Sequence, residues 1–230
     1  MNYQFIRITL SITLCLTLVE KSAYSQIGSR APMTLADVLD PNYLNSDLRE
    51  PNDKNIKGSQ FTDDWTKGSI TLSANTFDNL QMRYNGFTDD IWIKREDQNL
   101  IISKQYVRFF TTERDQEKIK YINYNSAFYR ELFASDSLTF LAKDKIFLIE
   151  GEASTGYNSG STSDEFKLKT QYYILRPSRD KLEEIKLRKK NLDQFTSGKR
   201  KKYIKNQLGE DNLKINSEEG MVRMFELLFN

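Results

Sequence analysis

The clearest pattern of hydrophobic and polar positions runs from Trp65 to Phe110 and has a period of two. In one segment, Leu80, Met82 and Tyr84 occupy one face while polar side chains occupy the other. Such alternation, interrupted by turn residues, is typical of half-buried antiparallel strands. The pattern predicts five short strands in this stretch, arranged as a curled sheet or as a small SH3-like barrel.

Turn and loop residues divide the rest of the β-rich region. Asn85-Gly86 matches a two-residue type I′ hairpin turn. The polar triplet at residues 143–145 separates two apolar runs, which predicts a second hairpin. Residues 151–164 are rich in Gly and Ser and predict a surface loop. The alternation then returns from Phe166 to Leu175, which predicts a further strand.

After residue 176 the apolar period changes from two to about 3.6, which predicts helices. Three segments are expected to present apolar stripes to a core: Leu182, Ile185, Leu192 and Phe195; the short basic segment from Lys199 to Leu208; and Met221, Met224, Phe225 and Leu228. The predicted fold class is therefore α+β. An antiparallel β-rich body over residues 61–175 precedes a C-terminal segment of about three helices, residues 176–230, that packs on it.

The first 25 residues are predicted to be a secretory signal peptide. Residues 8–19 form an uncharged apolar run that is shorter than the roughly 20 residues a transmembrane helix requires. Small residues at Ala23 and Ser25 predict cleavage between Ser25 and Gln26. We therefore expect an exported protein, periplasmic or secreted, with no transmembrane segment in the mature chain. A buried N-terminal strand is the other interpretation of this run. Residues 26–60 contain three of the four prolines and predict an irregular arm.

Composition narrows the chemistry available to the chain. It contains no His, and its one Cys, Cys15, lies in the predicted signal peptide. The mature chain is then expected to lack imidazole and thiol groups, which excludes Ser-His-Asp and Cys-His catalysis, common zinc sites and disulfides. The net charge is +2, so any electrostatic recognition must be local. We predict no catalytic residue, no cofactor and no metal ligand from motifs.

A basic run is the first candidate site. Between Lys186 and Lys205 there are nine Lys or Arg residues and one acid, Asp193. Its densest part comprises Lys199, Arg200, Lys201 and Lys202. Such a run could contact an anionic surface, whereas the simpler interpretation is the solvated face of amphipathic helices. Nucleic acid is not an expected partner of an exported protein.

Paired carboxylates and aromatic residues provide two further candidates. Glycosidases hold two carboxyl groups about 5 to 9.5 Å apart, and the chain offers the pairs Asp63-Asp64, Asp89-Asp90 and Glu150 with Glu152. Adjacent residues on a strand point to opposite faces, which disfavours Asp89-Asp90 as such a pair. An exposed aromatic strip could stack on sugar or seat a partner, although a half-buried core also explains the same residues: Trp65, Tyr84, Trp92, Tyr106, Phe109 and Phe110.

Several short motifs occur in a fixed order: Trp65-Thr-Lys-Gly-Ser-Ile-Thr-Leu72, Met82-Arg-Tyr-Asn85, Val107-Arg-Phe-Phe110, Tyr172-Tyr-Ile-Leu175, Tyr203-Ile-Lys205 and Phe229-Asn230. In this order the chain resembles a group of exported proteins of Bacteroidota. The resemblance covers residues 58–230, whereas the arm before it and the loop from residue 151 do not match. It implies a cell-envelope location. It carries over no catalytic residue, because the group has no assigned activity.

Together these patterns favour a non-enzymatic envelope protein, a binding or structural module that acts on another macromolecule. The alternative is a carboxylate-based hydrolase or glycan-binding protein that acts on envelope polysaccharide. The two differ in one structural expectation, because the hydrolase requires two carboxylates that face one cleft.

Overall fold

The computed structural model describes residues 56–73, 75–96, 98–151, 163–177 and 181–229. The predicted signal peptide, its cleavage site at Ser25 and Gln26, the arm up to residue 55, most of the Gly/Ser-rich loop and Glu152 lie outside these residues. The described residues form an antiparallel sheet followed by helices. The predicted α+β class, with a β-rich body and a helical C-terminal segment, is confirmed.

In the described part of the chain, ten strands make up one sheet: β1 (Thr66–Thr71), β2 (Thr76–Asn85), β3 (Asp90–Arg95), β4 (Gln98–Ile101), β5 (Phe109–Arg114), β6 (Glu117–Tyr124), β7 (Ala127–Ala134), β8 (Thr139–Ile149), β9 (Glu165–Arg176) and β10 (Lys181–Ile185). Their order is β10-β9-β8-β7-β6-β5-β1-β2-β3-β4. Strands β5 to β10 form a continuous meander, and β1 pairs with both β2 and β5. Such neighbouring connections need only short turns.

The sheet is strongly curled. Four strands lie between β8 and β2, yet the Ile146 N–H donates to the Gly86 carbonyl oxygen at 2.9 Å. A segment before β1 spans the same gap, since Lys57 pairs with Glu165 of β9 and Phe61 pairs with Asn85 of β2. The prediction of a curled sheet is therefore confirmed. The five predicted strands belong to this larger sheet and do not form a separate small barrel.

Aromatic rings fill the concave side of the curl. Phe110 and Tyr121 stack with ring centroids 4.6 Å apart, and Phe128 meets Phe110 edge-on at 5.0 Å. Tyr84 packs against Tyr121 at 5.1 Å. All four side chains are buried. The alternation that the sequence shows around Tyr84 thus reflects burial in this core.

Three helices follow the sheet: α1 (Asn191–Phe195), α2 (Gly198–Glu210) and α3 (Glu218–Phe229). Helix α3 buries Met221, Met224 and Phe225 against the sheet. There Phe225 contacts Phe140 of β8, with ring centroids 5.2 Å apart. Ser217 precedes α3, and its Oγ accepts the Gly220 N–H at 3.1 Å, as an N-cap does. No described helix is both long and apolar enough to cross a membrane.

Three local predictions are wrong, each because of contacts that are distant in sequence. Leu182 and Ile185 belong to strand β10, where five residue pairs with β9 replace the predicted helical turn. The polar triplet 143–145 lies inside the continuous strand β8, because Lys143 and Asp144 both find ion-pair partners. The Asn85-Gly86 turn has four residues rather than two, since Asn85 pairs with Asp90.

The side chain of Asn85 explains the longer turn. Its Oδ1 accepts the N–H groups of Phe87 and Thr88 at 3.0 and 3.1 Å. Asp89 closes the turn with a φ of 64°, in the left-handed region that Asp tolerates better than most residues. This conformation directs the Asp89 carboxylate towards β8, where it meets Lys143.

Candidate functional site

The predicted carboxylates have different surroundings in the described part of the chain. Asp63 receives two hydrogen bonds from the Arg114 guanidinium, both 2.5 Å long. Its neighbour Asp64 is exposed, as is Glu150, while Glu152 lies outside the described residues. Among the described residues, no group of three or more acids is placed to hold a metal ion. The Arg114 contact gives Asp63 a structural partner rather than a catalytic one.

Asp89 is the centre of a partly buried polar cluster. Its Oδ1 accepts hydrogen bonds from the Tyr84 hydroxyl and from Lys143 Nζ, each at 2.5 Å. Its Oδ2 accepts from Lys104 Nζ at 3.0 Å, and Lys104 also lies 3.8 Å from an Asp90 oxygen. Asp89 and Asp90 therefore share one lysine. The left-handed backbone at Asp89 removes the opposite-face geometry expected of neighbours on a strand.

Burial changes the proton affinities in this cluster. It raises the pKa of Tyr84 well above its usual value near 10, and the adjacent Asp89 carboxylate raises the pKa further. Burial lowers the pKa of Lys143, while Asp89 opposes the change. Lys143 Nζ also donates to the Phe128 carbonyl oxygen at 2.9 Å. Because the ammonium group is occupied in this way, the cluster fastens the β2–β3 turn to β7 and β8 and lacks an open nucleophile.

A second polar network joins the sheet to α3. Arg130 of β7 donates to Asp144 at 2.8 Å and to both carboxylate oxygens of Glu218 at 2.7 and 3.0 Å. Thr170 donates to Asp144 at 2.7 Å. Burial alone would lower the pKa of Arg130, but its hydrogen bonds to Glu218 and Asp144 outweigh burial and raise it. This network is a buried structural link between layers.

The predicted aromatic strip is divided among separate environments. Tyr84 and Phe110 belong to the concave core. Trp65 and Trp92 enclose the Arg83 guanidinium, whose carbon lies 4.2 and 5.3 Å from their ring centroids. Phe61 completes this enclosure at 3.5 Å. Phe109 is half-buried, and Tyr106 alone of the six is exposed. Most of these rings are therefore packing residues and do not form a sugar-stacking surface.

The basic cluster lies on α2, and its four members differ in their contacts. Lys199 and Lys202 are exposed. Lys201 forms an ion pair with Asp193 of α1. Arg200 donates to the Leu228 carbonyl oxygen at 2.5 Å, at the C-terminal end of α3 where cations are favourable. Arg200 therefore connects two helices, while the two exposed lysines remain accessible to an anionic partner.

An open cleft next to this cluster combines apolar and basic side chains. It has a volume of about 520 Å³ and lies where α1, α2 and the segment 213–216 meet. Leu192, Leu208, Leu213 and Ile215 are its aliphatic residues, and Lys189, Lys201, Lys205 and Lys214 are its cations. The basic run in the sequence includes three of these lysines. Lys214 was missed because it lies outside that run.

A second surface feature is the outer end of the β8–β9 ladder, which we call the hairpin end. Five large apolar side chains are exposed there: Phe87, Phe147, Leu148, Ile149 and Leu168. Leu168 is the most exposed, at 58%. Phe87 comes from the β2–β3 turn and meets Phe166 edge-on, with ring centroids 5.5 Å apart. Consecutive residues 147–149 are all exposed, so both faces of β8 are apolar at this end.

Comparison with known proteins adds no homologue. No family model matches the chain, and neither a curated protein nor a solved structure matches it.

Proposed function

We propose that this chain is an exported cell-envelope protein that acts as a non-enzymatic interaction module and binds a macromolecular partner through the hairpin end. The observation that carries the proposal is the exposure of five large apolar side chains at the hairpin end, where both faces of the β8–β9 ladder are apolar. Exposed apolar side chains gathered at one end of a sheet commonly mark a protein interaction site. Export is supported by the apolar N-terminal run and the small residues before Gln26.

Binding at the hairpin end would be favourable because it would remove apolar surface from water. Full burial of a Leu, Ile or Phe side chain contributes about 1.5–3 kcal/mol. Leu168 and Ile149 still expose 58% and 47% of their surfaces. Completing their burial would contribute about 1 kcal/mol each on the same scale. A partner that covered the hairpin end would therefore gain enough to offset part of the cost of association.

The non-enzymatic part of the proposal is supported by the polar side chains. Asp63 and Asp89, the best-positioned candidate acids, are held by cations within 3.0 Å. These contacts occupy carboxylate oxygens that a hydrolytic role would require to face a substrate. The hydrolase and glycan-binding alternative would be supported by turnover or binding of an envelope polysaccharide that is lost in Asp63→Asn or Asp89→Asn.

Site-specific photocrosslinking tests the interaction surface. A photoreactive phenylalanine analogue would replace Leu168 in one variant and Tyr203 in the control, since Tyr203 is similarly exposed, at 53%, but lies on α2. In cells of the source organism we expect a discrete adduct from position 168 and none from position 203. A product of twice the chain's mass would identify a second copy as the partner. The absence of any adduct at position 168 would contradict the proposal.

Export has a separate test. Fractionation of the same cells, followed by mass spectrometry of the purified protein, should recover a chain that begins at Gln26 outside the cytoplasm. An uncleaved chain confined to the cytoplasm would contradict the envelope location. That outcome would not change the interpretation of crosslinking at position 168, which tests a separate part of the proposal.

A further inference from the structure

The cleft between α1, α2 and the segment 213–216 has an aliphatic floor. Leu192 and Leu208 are buried, and Leu213 and Ile215 are half-buried beside them. The described residues that line this cleft include no aromatic ring. A floor of this kind offers an alkyl chain dispersion contacts and shelter from water, but it offers a nucleobase or sugar no ring on which to stack.

The rim of the same cleft carries positive charge. Lys189, Lys205 and Lys214 are exposed, and none of them forms an ion pair with another described residue. Lys201 is the exception, since it pairs with Asp193 at the surface. Exposed pairs of that kind contribute little free energy, so an incoming anion can compete for Lys201. The rim therefore complements a negatively charged group.

The cleft is built on a fixed backbone. The Leu213 N–H donates to the Leu208 carbonyl oxygen at 2.8 Å, and the Ser217 N–H donates to the Lys214 carbonyl oxygen at 2.9 Å. Gly220 packs so closely that a Cβ there would lie 1.9 Å from the Lys214 oxygen. These contacts hold the segment between α2 and α3 in place. The cleft therefore exists before any ligand arrives, as small-molecule sites usually do.

We propose that this cleft binds a single-chain anionic amphiphile, with the alkyl chain on the Leu/Ile floor and a carboxylate or phosphate held by Lys189, Lys205 and Lys214. The volume of about 520 Å³ lies within the range of about 300 to 1,000 Å³ typical of small-molecule sites. This inference goes beyond the proposed function. It rests on a different surface from the hairpin end, so either can fail without the other.

Isothermal titration calorimetry with decanoate, below its micelle concentration, tests the site. We expect decanoate to bind, and the affinity to weaken as salt is raised. Acetate has the anion without the chain, and decyltrimethylammonium has the chain with the opposite charge. Both are expected to bind at least tenfold more weakly than decanoate. Equal binding of either probe, or no binding of decanoate, would overturn the proposal.

Two kinds of variant locate the binding. The triple variant K189S/K205S/K214S should lower decanoate affinity at least tenfold. The control K67S/K94S/K118S removes the same charge from exposed strand residues and should stay within twofold of the unmodified chain. Equal losses in the two triples would show non-specific charge attraction and would overturn the site.

Gly209 allows the floor to be blocked without disturbing the fold. It lines the cleft within α2, and a Cβ there would meet no atom within 4 Å. Gly209→Leu should therefore preserve the helix, fill part of the cleft and lower decanoate affinity at least tenfold. Undiminished binding in Gly209→Leu would overturn the proposal. Leu168→Ser, at the hairpin end, should leave decanoate binding unchanged, and a loss there would overturn the assignment to the cleft.

Vesicles of phosphatidylglycerol distinguish binding of a single amphiphile in the cleft from association with a membrane surface. If the cleft takes one chain at a time, free decanoate should bind with the same lysine dependence in the absence of any bilayer. Binding to vesicles without binding to decanoate would show surface association through residues such as Lys199 and Lys202 instead. That outcome would also overturn the cleft proposal.

Discussion

Tyr84→Phe and Tyr121→Phe each remove one buried hydroxyl group, but the two hydroxyl groups lie in different environments. Tyr84 and Tyr121 lie side by side in the concave core and are each 1% exposed. The Tyr84 hydroxyl donates to Asp89 at 2.5 Å. The Tyr121 hydroxyl is buried and has no hydrogen-bond partner among the described residues. We therefore predict opposite effects of the two substitutions on stability.

The expected magnitudes follow from these environments. A hydrogen bond to a charged group contributes about 1.5–3 kcal/mol. Lys104 and Lys143 still hold Asp89 after Tyr84→Phe, so the loss should be near the lower end, about 1.5–2 kcal/mol. Tyr121→Phe removes a hydroxyl whose burial without a partner costs about 1–3 kcal/mol. That variant should be as stable as the unmodified chain or up to about 1 kcal/mol more stable.

Urea unfolding at neutral pH measures both effects. With a slope of about 1–3 kcal/mol per molar urea, the two midpoints should differ by about 1 M. The slopes should agree among the three proteins, so that the midpoint shifts report stability. Equal destabilisation of the two variants would refute the reasoning, because it would show that loss of volume, and not the hydrogen bond to Asp89, determines the cost.

Three further predictions concern the same layers. Burial raises the pKa of Tyr84 and Tyr121 in the folded chain, and it raises the pKa of Tyr172 to about 12. The contribution of these tyrosines to stability is therefore complete below about pH 10, and it is lost as pH rises through their folded-state pKa values. The lowered pKa of Lys143 acts in the opposite sense. Unfolding free energy should therefore fall above pH 10, and less steeply in Tyr121→Phe; equal slopes would contradict this. Asp144→Asn should cost about 2–3 kcal/mol because it weakens the pairing of the largely buried Arg130. The control Arg223→Gln, whose ion pairs lie at the surface, should shift the urea midpoint much less. Similar midpoint shifts in the two variants would count against a buried link. Gly220→Ala should destabilise the fold by about 1–3 kcal/mol, because its Cβ would meet the Lys214 carbonyl oxygen. Gly209→Ala should stabilise α2 by about 0.5–1 kcal/mol, because its Cβ would meet no atom within 4 Å and Ala favours a helix over Gly. Melting temperatures that shift in the same direction in both variants would contradict this explanation.

Local pattern was sufficient for much of the fold. The alternation of Leu80, Met82 and Tyr84 predicted a strand, and the spacing of Met221, Met224 and Phe225 predicted the last helix. In both cases the structure buries the predicted core residues, apart from the half-buried Leu80. These predictions held because a side chain's position on a strand or helix depends only on its neighbours along the chain.

Elements stabilised by distant partners were not predicted. Leu182 and Ile185 have helical spacing, but the free edge of β9 pairs with this segment and makes it a strand. Lys143 and Asp144 resemble turn residues, but Asp89 and Arg130 compensate their charges within β8. Local propensity is worth tenths of a kcal/mol to about 1 kcal/mol per residue, so a ladder or a buried ion pair can override it.

The candidate surfaces, like the fold, were predicted from the sequence only in part. Composition determined that the described chain has no imidazole or thiol, and the basic run already contained Lys189 and Lys205. Only the tertiary structure decided that Lys214 joins them around an aliphatic floor, and that Phe87 of the β2–β3 turn meets Phe166 of β9. Sequence specifies which side chains are available. The fold decides which of them share a surface, because the segments that meet are connected by turns and a ladder that no local pattern encodes.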